Sequence, residues 1–126
     1  MPSKIIDNDL AIKTIIAEAA NQPYEIMIGI GEAIRNRGSL KPFQGSMRKD
    51  LDVFVGKQPL WVRLAATKAW QDSEESNTIK GADHVFYAGT DDASDPWWAN
   101  PESSKVKDKK YVKKRVAEFS GWRFYK

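Results

Sequence analysis

The chain has no cysteine and a single histidine, His84. Disulfides, thiolate metal sites and cysteine nucleophiles are therefore excluded. A multi-histidine zinc site is excluded too, although a mixed carboxylate site is not. No apolar run approaches the roughly 20 residues needed to cross a bilayer, so no membrane span is expected. A phosphate-binding glycine loop and a Gly-x-Ser-x-Gly elbow are also missing. No metal and no cofactor is expected. What remains is ordinary globular material: 126 residues, 41% hydrophobic and 29% charged. That suits one domain, residues 1-126, around one core.

The net charge of +3 is unevenly spread. Residues 71 to 102 hold eight acids and one base, Lys80, whereas residues 103 to 126 hold nine bases and two acids, Asp108 and Glu118. Such a basic end can steer a protein toward a polyanion, or it can be a solvated face. A nucleic-acid reading would rest on this segment alone, which carries no recognition motif. No nucleic-acid partner is expected.

Asp7-Asn8-Asp9 makes an N-cap cluster for a first helix. Ile12, Ile15, Ile16 and Ala19 then form one apolar face, and the helix should end near Asn21-Gln22. Glu18 falls about 60° from Ile15, at the edge of that face. Partial desolvation disfavours the charged form of a carboxyl group, and a carboxylic acid that keeps its proton can protonate a leaving oxygen. Pattern alone leaves two roles open for Glu18: a surface glutamate held by Lys13 or Arg35, and a proton donor.

Pro23 suits the start of a second helix, with Ile26, Met27, Ile30, Ala33 and Ile34 buried and Gly38 as its C-cap. Gly29 and Gly31 weaken a helix and make sense where another backbone approaches closely. Residues 39 to 58 read as a long loop with one short helical turn. Pro59 opens a third helix that runs to about Glu74. His84-Val85-Phe86-Tyr87 and Trp122-Arg123-Phe124-Tyr125 read as aromatic strands that pair as an antiparallel ribbon. Between them lie a turn-rich loop, the tandem Trp97-Trp98, and a charged segment expected to be helical from about Lys109 to Phe119. The aromatics suit the flat faces of sugar rings. Phe86 and Phe124 are expected in the core, and at least one of Trp97 and Trp98 in a groove. A lone histidine such as His84 is structural by default, or a hydrogen-bond donor to substrate.

The segment AEAANQPYEIMIGIGEAIRNRG resembles the opening motif of bacterial and phage cell wall hydrolases of the spore-cortex-lytic type. Glu18-Ala19, Pro23-Tyr24-Glu25, Gly29, Ala33-Ile34 and Asn36-Arg37 carry the match. GADHVFYA, DPWWAN and SGWRFYK resemble the family's later segments in the same order. In two places the pattern departs. Ile26-Met27 replaces the family's Gly-Gln, and the histidine of the last segment is replaced, with Trp122 beside that position.

The resemblance implies a mainly α (α+β) fold, a small lysozyme-like helical domain with a short antiparallel β element. It implies cleavage of the MurNAc–GlcNAc β-1,4 bond of peptidoglycan, often as a lytic transglycosylase, with Glu18 as general acid and base. A hydrolase needs a second carboxylate about 5 to 5.5 Å away if retaining or about 6.5 to 9.5 Å away if inverting, for which Glu25, Glu32, Asp83 and Asp95 are the candidates, Glu25 and Asp95 foremost. A transglycosylase needs none. His84, Tyr87, Trp97 and Asn100 are the expected glycan contacts. The partner is then a peptidoglycan strand, and a monomer is expected. The opening residues lack a signal-peptide core, which fits a phage endolysin, a virion-associated protein or a removed leader. The competing readings are a non-catalytic glycan-binding or virion module with a lysozyme-like shell and, more distantly, a nucleic-acid-binding domain.

Overall fold

The computed structural model describes residues 6–41 and 43–126; Pro42, assigned above to the long loop, lies outside the described residues. The chain runs α1 (Asn8–Ala19), α2 (Tyr24–Arg37), a 3-10 turn (Gln44–Met47), α3 (Leu51–Gly56), α4 (Leu60–Asp72), β1 (His84–Tyr87), β2 (Arg115–Phe119) and β3 (Trp122–Tyr125). Two further 3-10 turns, Trp97–Ala99 and Lys109–Tyr111, lie between β1 and β2. This is the lysozyme-like α+β arrangement that the resemblance implied.

The helix ends follow from their caps. The Asp7 side chain accepts from the Leu10 N–H at 2.9 Å and starts α1. Gly38, at φ 73°, closes α2 by donating its N–H to the Ile34 carbonyl, a left-handed conformation that glycine adopts freely. Ile15 and Ile16 of α1, Ile26, Met27, Ile30 and Ile34 of α2, and Val62, Ala66 and Trp70 of α4 form the core. The two glycines of α2 do admit close neighbours. A Cβ at Gly29 would lie 3.0 Å from the Phe124 ring, and one at Gly31 would lie 2.8 Å from the Ser73 hydroxyl. At Gly29 the neighbours are side chains rather than the backbone expected, whereas at Gly31 the Ala69 backbone carbonyl also comes within 3.6 Å. Glycine at these positions lets the sheet and the end of α4 close onto α2.

The segment 39–58 holds two helical elements, not one. The 3-10 turn is followed by the six-residue α3, which buries Leu51. The helix expected over 109–119 is absent: Lys109–Tyr111 is a single 3-10 turn, and Arg115–Phe119 is a strand. Lysine-rich composition favours helix, but a two-residue turn overrides it. Ser120 and Gly121 both take positive φ, 54° and 80°, the geometry of a tight hairpin. β3 therefore pairs with both β2 and β1, and the strand order is β1-β3-β2. The β1–β3 ribbon has the expected antiparallel sense, with His84 opposite Tyr125 and Tyr87 opposite Trp122. Phe124 is fully buried as expected, but Phe86 is half-buried and faces a cavity.

Candidate active site

A cavity of about 690 Å³ is lined by Glu18, Arg37, Phe43, Asp83, His84, Val85, Phe86, Tyr87, Trp97, Trp98 and Trp122. Several elements meet there: α1 brings Glu18, the end of α2 brings Arg37, the segment after it Phe43, β1 brings His84 to Tyr87, β3 brings Trp122, and the loop after β1 brings the two tryptophans.

Glu18 is half-buried in the cavity wall. Its Oε1 accepts from the Gly45 backbone N–H at 2.9 Å. A helical turn leaves its first N–H groups without internal partners, and the 3-10 turn spends one of them on this carboxylate. The turn is itself braced by the Ser46 hydroxyl, which donates to the Leu40 and Phe43 carbonyls. Gly45 has no room for a side chain. A Cβ there would lie 2.9 Å from the Ala17 Cβ and 3.2 Å from Glu18 Oε1. Oε2 makes no hydrogen bond within the described residues, and no buried side-chain oxygen there lacks a partner. Oε2 is therefore reached by solvent.

Neither cation considered as a partner for Glu18 holds it. Lys13 pairs with Asp9 and Asp52. Arg35 donates to the Ser73 hydroxyl and the Trp70 carbonyl and lies over the Trp70 ring.

Beside Glu18 runs a polar chain. Lys113 Nζ reaches both Asp83 oxygens at 3.2 Å. Asp83 Oδ1 lies 2.9 Å from His84 Nδ1, and His84 Nε2 lies 2.7 Å from Arg37 Nη1. The same Arg37 Nη1 lies 3.2 Å from His84 Nδ1. The Asp83 carboxylate can only accept, which assigns the proton of neutral His84 to Nδ1 and leaves Nε2 as the acceptor. Burial pushes the imidazole below its ordinary pKa; the Asp83 hydrogen bond opposes this, and the Arg37 and Lys113 charges reinforce it. His84 is thus neutral at pH 7. Burial raises the Asp83 carboxyl, but the His84 and Lys113 hydrogen bonds and the Lys113 charge outweigh it and hold Asp83 below the ordinary carboxylate range.

The aromatics divide between anchoring and exposure. Trp98 packs against His84 at 5.0 Å and edge-on against Tyr125 at 4.9 Å. Tyr87 leans on Trp122 at 5.2 Å. Trp97 is 48% exposed and Tyr87 55% exposed, each presenting ring surface at the cavity rim.

The cavity therefore gathers Glu18, His84, Tyr87 and Trp97. Asn100 is exposed, is not part of the lining, and accepts from the Glu102 N–H. The acids named beside Glu18 lie elsewhere, except Asp83. Glu25 accepts from the Ser120 hydroxyl at the hairpin turn. Asp95 accepts from Arg115 at 2.7 Å and from the Tyr125 hydroxyl at 2.6 Å. Burial and that hydrogen bond push the Tyr125 hydroxyl up to about 12. Glu32 is enclosed by donors from residues 76–79. Gly45, Arg37 and Lys113 were not singled out from sequence as site residues. Arg37 had a signal in the Asn36-Arg37 motif. Gly45 and Lys113 had none, because their partners are 27 and 30 residues away.

The sequence matches no protein-family model, and no curated protein matches it. Among solved structures, the catalytic domain of the germination-specific lytic transglycosylase SleB from Bacillus anthracis is similar, at a TM-score of 0.56 and 17% identity over 100% of both chains. The two chains share a fold from end to end.

Proposed function

We propose that this protein degrades peptidoglycan by cleaving the MurNAc–GlcNAc β-1,4 bond as a lytic transglycosylase, with Glu18 as the general acid and then the base. One observation carries the proposal: Glu18 stands half-buried in an aromatic-lined cavity with Oε1 held by Gly45 and Oε2 without a hydrogen-bond partner among the described residues. The Gly45 N–H occupies Oε1, so Oε2 is the oxygen placed to exchange a proton with substrate. The likeness to a lytic transglycosylase domain supports the same reading.

The chemistry balances without water. Glu18 Oε2 gives its proton to the glycosidic oxygen as the C1–O bond breaks and oxocarbenium character develops. The 6-hydroxyl of the same sugar then attacks C1 and returns its proton to Oε2. The product is a 1,6-anhydro ring, and Glu18 is regenerated. Trp97 and Tyr87 offer faces for sugar rings, and neutral His84 carries no charge against the developing cation.

Hydrolysis is the second reading, because Asp83 shares the cavity. A carboxylate neutralised by Lys113 and hydrogen-bonded by His84 is a weak base and a weak nucleophile, which favours the water-free route. Mass spectrometry of fragments released from purified peptidoglycan separates the two. Anhydro ends, lighter than reducing ends by one water, are expected. Reducing ends would place Asp83 in the mechanism, and no release at all would favour the non-catalytic glycan-binding module.

The Gly45 contact makes a second prediction. Gly45→Ala pushes a methyl against Ala17 and Glu18, so the turn must shift by a few tenths of an ångström. A small misplacement of a catalytic group is costly. We expect kcat to fall by about 10-fold with KM little changed, at a stability cost of about 1 kcal/mol. An unchanged kcat in steady-state wall-cleavage assays would remove Gly45 from the positioning of Glu18.

A further inference from the structure

Two arginines end α2, and they have opposite fates. Arg35 spends Nε on the Ser73 hydroxyl at 2.8 Å and Nη2 on the Trp70 carbonyl at 2.6 Å. It is tied into the scaffold. Arg37 uses only Nη1, which bonds His84 and approaches the Asp83 carbonyl at 3.4 Å. Its Nε and Nη2 make no hydrogen bond within the described residues. No buried side-chain nitrogen there lacks a partner, so these two groups are open to solvent. No carboxylate among the described residues lies within ion-pair distance of Arg37, whereas Arg48 pairs with one and Arg115 and Arg123 with two each. Arg37 lines the same cavity as Glu18.

The Nε–Nη2 edge of a guanidinium is the fork that grips a carboxylate through two parallel hydrogen bonds. Here the fork is already aimed, because His84 fixes Nη1 from behind and Asp83 fixes His84 in turn. The other charges do not compete. Asp83 is neutralised by Lys113, and His84 is uncharged. Among the described residues, the cavity thus carries one guanidinium that lacks a counter-charge.

We infer that Arg37 is a binding residue for a carboxylate carried on the glycan strand, so that the site selects acidic, muramyl-bearing strands over neutral ones. This rests on the cleavage reading above and adds its substrate selectivity. Two sources carry the chemistry: the lactyl carboxyl of a muramyl sugar without its stem peptide, and the free carboxyls of the stem peptide.

The test compares wild type and Arg37→Gln on four substrates. These are intact peptidoglycan, the same material with its carboxyls amidated, and both again after an amidase has removed the stem peptides, amidation following stripping in the last. Wild type is expected to favour the unamidated form by about 10-fold in kcat/KM, mainly through KM. Arg37→Gln should bring that ratio close to one, whatever its absolute rate on amidated strands. Preference on intact material identifies stem carboxyls; preference confined to stripped strands identifies the lactyl group. Arg37→Lys, which keeps the charge without the fork, should retain part of the preference and controls for damage to α2. Equal ratios for wild type and Arg37→Gln on both kinds of strand would overturn the inference. Co-sedimentation of Glu18→Gln protein with native and amidated strands reads the same contact without turnover. A preference there survives failure of the cleavage reading, and its absence alongside full cleavage by wild type defeats the Arg37 inference alone.

Discussion

Glu18→Gln is expected to lower glycan-strand cleavage by about a thousandfold, within the range for losing a general acid, and to leave the fold intact. Glutamine has the same shape. Its amide oxygen can still accept from the Gly45 N–H, so the 3-10 turn keeps its contact with α1. What changes is the atom facing the cavity. An NH2 group in place of Oε2 cannot hand a proton to a departing oxygen, and it cannot take one from an attacking hydroxyl. Both halves of the reaction fail together, so kcat should collapse while strand binding persists. Release of muropeptides measured against time gives the rate, and thermal melting gives the control, with Tm expected to stay within about 2 °C. A loss below 10-fold would move the chemistry away from Glu18 and favour a lysozyme-like shell that only binds glycan.

The two helices flanking Glu18 were legible because their signals are local. A cap residue, a 3.6-residue period and a terminal glycine act within one or two turns, and Asp7, Ile15, Ile26 and Gly38 all play the parts their spacing implied. The β1–β3 ribbon was legible because its aromatic runs are unlike their surroundings. β2 was not, because the lysine-rich run just before it favoured a helix and the decisive signal, Ser120-Gly121, was read only as part of a terminal motif. The site was partly legible. Pattern placed Glu18 at the margin of an apolar face, and the chain confirms a half-buried position. The atoms around it were hidden, since Gly45 meets Glu18 across 27 residues and Arg37 meets His84 across 47. Periodicity carries no information over such distances. The same limit explains why Glu25 and Asp95 looked more eligible than Asp83, although only Asp83 lines the cavity. Their real partners, Ser120 for Glu25 and Arg115 and Tyr125 for Asp95, come from the hairpin.

The second large effect concerns stability. Glu32→Ala is expected to destabilise the fold by about 3 kcal/mol while sparing the chemistry of folded molecules. Glu32 is 2% exposed and lies on α2, away from the cavity lining. Its two oxygens accept four hydrogen bonds: the Thr78 N–H and hydroxyl, both at 2.6 Å, the Ser76 hydroxyl at 3.0 Å and the Ile79 N–H at 3.3 Å. These bonds fasten the chain between α4 and β1 onto α2, and Ile79 of that segment enters the core. Alanine would strand the donors. The exposed Thr78 and half-buried Ser76 hydroxyls can turn to water, but the N–H of buried Ile79 cannot. An unpaired buried group costs about 1 to 3 kcal/mol, and the cavity left by the side chain adds to it. Glu32→Gln retains one acceptor oxygen but turns an NH2 toward donors, so it should fall between wild type and alanine. Urea titration followed by circular dichroism measures the series, and Tm for Glu32→Ala should drop by about 10 °C. A change below 1 kcal/mol would mean that the 76–79 segment is held by Ile79 packing and not by the carboxylate. Glu18 and Glu32 therefore make opposite experimental pairs: glutamine at 18 should remove turnover and keep Tm, whereas alanine at 32 should lower Tm and keep turnover per folded molecule.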